Sequence, residues 1–331
     1  MSAAPQVLAK SASHPARWKI LLAFAIIYFV WGSTFLCIRI GVRELPPFLF
    51  AALRFTIAGL VLFIWMLAKD KIWPRWQEWV GASLLGFLMF LIDYGCLFWA
   101  EQRVASGIAA VVLATIPIFI TILEILFLRT VRLSVSLALG LIAGILGVII
   151  LINPSTSLGS AVIDRAGAIA LLVAALGWAV GTILTKKIAL PNSKAMSSAL
   201  QMLTGGIQLF ALAVVTGDMA HFHPVQLSGQ AWFALVYLIV AGSLIGYTAY
   251  VWLLDHASPT KVGTYAYVNP VIAVLLGYFL AGEQIGVRTI FGTLLVLVSV
   301  FMITLMSGKS RLRAKSASDA VRANPARSAH S

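Results

Sequence analysis

Ten apolar runs, most of them 20 residues or longer, divide this chain and leave only short polar stretches between them. They fall at 19–40, 46–68, 78–100, 104–128, 134–152, 166–186, 196–216, 231–253, 260–282 and 288–307. A helix needs about 20 mostly apolar residues to cross a hydrocarbon core about 30 Å thick. Runs of continuous rather than alternating apolarity disfavour a β-barrel. Charged residues make up 11% of the 331, where soluble domains carry about 25%. The chain therefore reads as an all-α integral membrane protein with ten transmembrane helices.

The formal charge of +13 invites a nucleic-acid reading, but its placement opposes one. With the amino terminus assigned to the cytoplasm, eighteen Lys and Arg fall in inside segments. Five (Arg39, Arg43, Arg103, Arg165 and Arg288) fall outside, and Arg54 lies within the second run. That bias puts both termini inside, as an even number of spans requires. The expected partners are a small-molecule substrate and the lipid bilayer, with no nucleic acid and a monomer favoured. The expected location is a bacterial inner membrane.

The chain repeats itself. Adding 153 carries Tyr94 to Tyr247, Trp99 to Trp252 and Pro117 to Pro270. Five spans per repeat is an odd number, so the second unit enters the membrane from the opposite side: two inverted five-helix repeats around a central cavity. The layout is a cytoplasmic basic tail (1–18), a first repeat (19–152), a periplasmic linker (153–165), a second repeat (166–307) and a basic, disordered cytoplasmic tail (308–331). The first run is read as a retained span because its apolar stretch outlasts a signal peptide's core.

Candidate site residues gather near mid-membrane. Trp31 and Trp178 lie about a dozen residues into the first and sixth runs, with Thr34 close by, although Trp is usually enriched at membrane interfaces. Phe90 and Tyr94 share a face of the third run, Ser243, Tyr247 and Tyr250 one of the eighth, and Tyr265 and Asn269 one of the ninth. Thr115 accompanies Pro117 on the fourth. Aromatic surface with a few hydroxyls and one amide suits small amphipathic solutes; plain helix packing is the alternative for each residue. Pro117 and Pro270 each remove a helical hydrogen bond, which marks a hinge, a cavity or a simple kink. Arg54 lies about 12 Å deep by helical rise, and a buried arginine in a membrane calls for a partner. Asp93, at similar depth, is the proposed one, as a structural ion pair or in substrate or proton coupling. Gly140, Gly144 and Gly147 permit close helix contact, within the bundle or in an oligomer.

Several of these segments together resemble the ten-helix EamA branch of the drug/metabolite transporter superfamily. They are Trp31-Gly32-Ser33-Thr34-Phe35, Pro46-Pro47, Arg54-Phe55 with Ala58-Gly59, Ser106-Gly107-Ile108-Ala109-Ala110, and Ala266-Tyr267-Val268-Asn269-Pro270 before Gly282-Glu283. The resemblance covers about residues 19–307 and implies an inverted 5+5 fold with a central cavity and export of amino acids, aromatic ones included, or related metabolites. One departure stands out: Arg129-Thr130 occupies the place of Gly282-Glu283 in the first repeat.

The leading expectation is alternating-access export of small amphipathic metabolites, amino acids first. Proton-coupled export of cationic drugs, which needs a buried unpaired acid, is the runner-up. A membrane-embedded enzyme is disfavoured because His14, His221, His223, His256 and His330 all lie in loops or tails, and catalysis needs converging groups. No cofactor or metal is expected: His221 and His223 lack accompanying ligands.

Overall fold

The computed structural model describes residues 16–152, 164–257 and 259–323. Among the described residues the regular structure is entirely helical. The bundle comprises α1 (Arg17–Gly41), α2 (Pro47–Asp70), α3 (Trp76–Glu101), α4 (Ser106–Leu128), α5 (Val135–Ile152), α6 (Arg165–Leu184), α7 (Lys194–Val215) and α8 (Gly229–His256). These are followed by α9 (Tyr265–Ala281) and α10, whose apolar part is Val287–Met306. Among the described residues nine are long and apolar enough to cross a membrane, and α9 is the shorter tenth, preceded by a single turn, Pro259–Val262. Each expected run thus has its helix. Residues 1–15 of the expected tail (1–18), 153–163 of the expected linker (153–165) and 324–331 lie outside the described residues. Helix α10 continues to Ala323, through much of the segment expected as the carboxy-terminal tail. Its Lys, Arg and Ala residues are strong helix formers.

Local sequence explains the helix ends. Asp164, Ser193 and Ser228 each accept a backbone N–H from the first turn of α6, α7 and α8, satisfying donors that the helix cannot. Glu78 reaches back to the Arg75 N–H at 2.7 Å. Pro47 occupies the first turn of α2, where its missing N–H removes nothing. Two terminations match across the halves. Arg129 (φ 52°) and Gly282 (φ 65°) both take the left-handed conformation. The next residues, Thr130 and Glu283, donate their backbone N–H to Glu124 O and Gly277 O respectively. All three pairs are 153 positions apart.

The main helix pairings are kept when the halves are exchanged. Helix α2 packs on α7 and α5 on α10, while α1 meets α8 and α9 just as α6 meets α3 and α4. Lipid offers no hydrophobic force between helices, so close backbone contact has to hold the bundle together. A methyl on Gly59 would lie 2.5 Å from the Leu203 nitrogen, and one on Gly206 would lie 2.5 Å from that of Thr56; α2 and α7 therefore cross nearly backbone to backbone. Gly140, Gly144 and Gly147 face Ser299, Ile303 and Val296 of α10, and the Ser299 hydroxyl donates to Gly140 O at 2.6 Å. The glycine stripe of α5 thus serves contact inside the bundle.

The two ends of the bundle are joined differently. At one end, polar groups of one half cap helices of the other. Glu44 accepts the Ser228 N–H at 2.7 Å and its hydroxyl at 2.6 Å. Asp218 Oδ2 accepts the Phe48 and Leu49 N–H groups at 3.0 and 3.1 Å. Glu283 accepts those of Ser106 and Gly107 at 2.7 and 3.2 Å, and Arg288 donates to Ile150 O and Leu151 O. At the other end an exposed ion pair, Lys194–Asp255 at 2.5 Å, stays within the second half, and a 2.5 Å hydroxyl contact joins Tyr28 to Thr264.

Candidate functional site

Two π-helical segments, Phe87–Tyr94 in α3 and Leu238–Ile245 in α8, interrupt the α-helical winding at related places in the two halves. A π turn leaves carbonyls without their usual partner and often marks a functional site. In α8 the Ser243 hydroxyl donates to Leu238 O at 3.0 Å and accepts Arg54 Nε at 3.1 Å. The irregular backbone of α8 is thus what holds the arginine of α2.

Around these segments aromatic rings form two clusters. Trp31 lies 5.2 Å from Tyr250 and 5.0 Å from Tyr265, ring centre to ring centre, and Tyr250 lies 6.0 Å from Tyr265. Tyr247 is 6.2 Å from Tyr250, and its hydroxyl meets that of Ser198. Trp31 Nε1 donates to Gly242 O at 3.1 Å, which ties α1 to the π segment of α8. In the second cluster Tyr94 lies 4.5 Å from Phe55, 5.8 Å from Phe90 and 6.2 Å from Trp178. Each midplane tryptophan thus meets a tyrosine from the other half. All six Trp and Tyr residues at these positions (31, 94, 178, 247, 250, 265) are half-buried, whereas Phe90 is buried.

Arg54 lies against the second cluster and is held by the π segment of α8. It is buried, with its guanidinium 4.6 Å from the Phe55 ring centre and 5.2 Å from that of Tyr94. Its Nη1 has no hydrogen-bond partner. The expected ion pair with Asp93 is corrected: among the described residues no carboxylate oxygen lies within 4 Å of Arg54. The guanidinium instead lies over aromatic rings and against Ser243. Asp93 is itself buried, and its Oδ1 lacks a partner.

Other expected site residues play structural parts. Thr34 is buried and donates to Trp31 O at 2.7 Å. Asn269, with its amide nitrogen turned toward the nearby carbonyls as the hydrogen bonding requires, donates to Tyr28 O at 3.1 Å and Tyr265 O at 3.2 Å. It thereby ties α9 to α1. Thr115 is set apart from the rings. Its hydroxyl donates to Val112 O at 2.6 Å, and the residue lines a crevice of about 620 Å³ between α4, α5 and α6, with Ile118, Val148, Ile169 and Arg165. The prolines differ as well. Helix α4 breaks at Ala114–Thr115, just before Pro117, whereas α9 runs through Pro270 without interruption. The interruption in the second half falls upstream, at Gly263–Thr264.

Another buried carboxylate, Glu101, is not among the residues the sequence pattern singles out. That residue is fully buried at the end of α3, and neither carboxylate oxygen has a hydrogen-bond partner. Its position at the edge of an apolar run concealed it. Glu283 was noticed only as a break in the repeat; Ser106, which heads α4, was the available signal for its capping role.

Long apolar helices packed around aromatic clusters and a buried arginine define a multi-pass membrane protein, and its relatives are transporters. The chain belongs to the EamA-like transporter family, which it matches over residues 17–153 and 165–305. It is 37% identical to the uncharacterized inner membrane transporter YedA of Escherichia coli K12, over 86% of this chain and 90% of that one. Similarity extends to the uncharacterized transporter YoaV of Bacillus subtilis, 25% identical over 89% of this chain and 99% of that one. It also reaches a chloroplastic WAT1-related protein of Arabidopsis thaliana, 26% identical over 88% and 70% respectively. One crystal structure, 20% identical, shares the fold with a TM-score of 0.57 over 89% of this chain and 99% of its own. The protein is accordingly a transporter and not an enzyme.

Proposed function

We propose that this protein is an alternating-access exporter of the inner membrane that carries small amphipathic metabolites, amino acids and especially aromatic ones. Its two five-helix units are inverted in the membrane, both termini are cytoplasmic, and the substrate site lies where the units meet. The observation that carries the reading is the pair of ring clusters, each built from both halves, with the unpartnered Arg54 Nη1 beside the second. Rings supply stacking surface for an indole or phenyl side chain, and a buried guanidinium suits a carboxylate. Trp31, Tyr94, Trp178, Tyr247, Tyr250 and Tyr265 are the proposed contacts, with Phe90, Thr34, Ser243 and Asn269 supporting them.

The cross-half caps at the Glu283 end, set against the sparser ties at the Lys194 end, fit a transporter closed on the periplasmic side. The positive-inside bias gives that assignment. Export of cationic drugs through the acid Asp93 is the second reading, since its Oδ1 is buried and unpartnered; Arg54 beside the same rings disfavours a cationic cargo. Counterflow in liposomes decides. Labelled tryptophan should exchange against aromatic amino acids and against few others. Exchange of no amino acid, with exchange of cationic drugs, overturns the leading reading.

A further inference from the structure

The end of the bundle that carries Glu283 also holds a pocket of about 280 Å³, walled by the ends of α1, α4, α9 and α10. Four arginines line it: Arg39, Arg43, Arg103 and Arg288. Only five Lys and Arg residues lie at this end of the chain's ten runs, and the fifth, Arg165, lines the separate crevice beside α5. Basic residues are therefore scarce at this end, yet all but one converge on a single pocket.

Among the described residues, Arg39, Arg43 and Arg103 carry that charge without a close ion pair. Arg39 donates to Glu101 O, Arg103 to Trp99 O, and Arg288 to Ile150 O and Leu151 O. For Arg39 and Arg103, backbone carbonyls accept these bonds without neutralising the cation. Among the described residues no carboxylate oxygen lies within 4 Å of Arg39, Arg43 or Arg103. Glu283 is the pocket's one lining carboxylate, and both its oxygens already accept N–H groups of α4. The buried carboxylate of Glu101 stands behind Arg39. Arg43 and Arg103 are exposed, so the cationic face is open to a solute. Arg39 lies in the last turn of α1 and Arg43 in the turn just past its end. The rest of the wall is apolar, including Val104, Ile108, Leu151 and Ala281.

We infer that this pocket binds a phosphate-bearing anion, a ligand that nothing in the transport reading requires. Guanidinium groups grip phosphate oxygens in pairs, and an apolar wall beside them suits the organic part of a phosphomonoester or phosphodiester. The pocket lies at the ends of spanning helices, so the phosphate could come from an anionic phospholipid headgroup or from a free organic phosphate. Occupancy would also bear on the α9–α4 cap, because Glu283 belongs to both.

The test uses the full chain and two probes. Glycerol 3-phosphate, with sodium chloride at matched ionic strength as control, is titrated against thermal unfolding of detergent-purified protein. Retention of phosphatidylglycerol, with phosphatidylcholine as control, is read by native mass spectrometry. At least one probe should bind saturably. Its affinity should fall about tenfold or more in Arg43→Gln and Arg103→Gln and hold in Arg165→Gln. Response to the soluble probe alone assigns a free phosphate, and response to the lipid alone assigns a headgroup. Absence of saturable binding by both, or an equal loss in Arg165→Gln, overturns the inference. Arg43 and Arg103 are exposed, so their replacement leaves the fold intact, which the unfolding curve of each unliganded variant checks directly.

Discussion

Glu283 and Ser106 stand 177 positions apart, yet one carboxylate oxygen of the first accepts both the backbone N–H and the hydroxyl of the second, at 2.7 and 2.9 Å. A carboxylate at a helix N-terminus satisfies orphan donors and complements the helix dipole. Here it also joins the last turn of α9 to the first of α4. Glu283→Ala should lower unfolding stability by about 1–2 kcal/mol, read from thermal denaturation in nanodiscs. Glu283→Gln should retain part of the cap and fall between the two.

Removing a ring from either cluster should weaken the cargo site. Trp31→Ala and Tyr94→Ala are each expected to reduce tryptophan affinity by about 0.5–1.5 kcal/mol, from lost stacking. Alanine and serine should be nearly unaffected. Competition in a counterflow assay measures both.

Arg54 offers a sharper probe of chemistry. If its free Nη1 receives the cargo carboxylate, the wild type should prefer tryptophan over tryptamine, which lacks that group. Arg54→Gln should erase the preference while the protein remains folded. Equal handling of the two by the wild type would leave a transporter whose arginine is only structural.

The crossing of α2 and α7 leaves no room for a side chain at Gly59. Gly59→Leu should destabilise the bundle by about 3 kcal/mol or abolish folding, since overpacking a tight contact costs about 1–3 kcal/mol. Size-exclusion profile and melting temperature report this, with Gly229→Ala, which meets open space, as control.

Glu44 supplies a pH signature. The Ser228 hydrogen bonds hold its carboxyl below the ordinary value of 4.5. A group with a depressed folded value contributes stability above its unfolded value and loses it as pH falls through the folded one. Melting curves of wild type and Glu44→Gln should therefore differ at neutral pH and converge under acid conditions.

Helix number and position were legible because hydrocarbon thickness fixes a length and lipid forbids unsatisfied backbone. The symmetric pairing was partly legible, through Tyr94 and Tyr247 and through Pro117 and Pro270. Side-chain partners were not. Depth counting set Arg54 and Asp93 level but carries no azimuth, and the π segment in α3 alters the direction in which Asp93 points. Thr115 was misplaced for the same reason, because its helix breaks beside it. The arginine pocket was hidden altogether: Arg39, Arg103 and Arg288 are far apart in the chain and scan as isolated loop charges.

The wide turns in α3 and α8 have one more effect. Each packs an additional residue into its coil, so the stretches above and below it face directions that a uniform helix could not combine. Dropping a single residue inside Phe87–Tyr94 would swing everything beyond it by about 100°. Tyr94 would then turn away from Trp178 although every side chain in the clusters was still present. The alignment of these rings therefore depends on a local irregularity in winding as much as on which residues the chain contains.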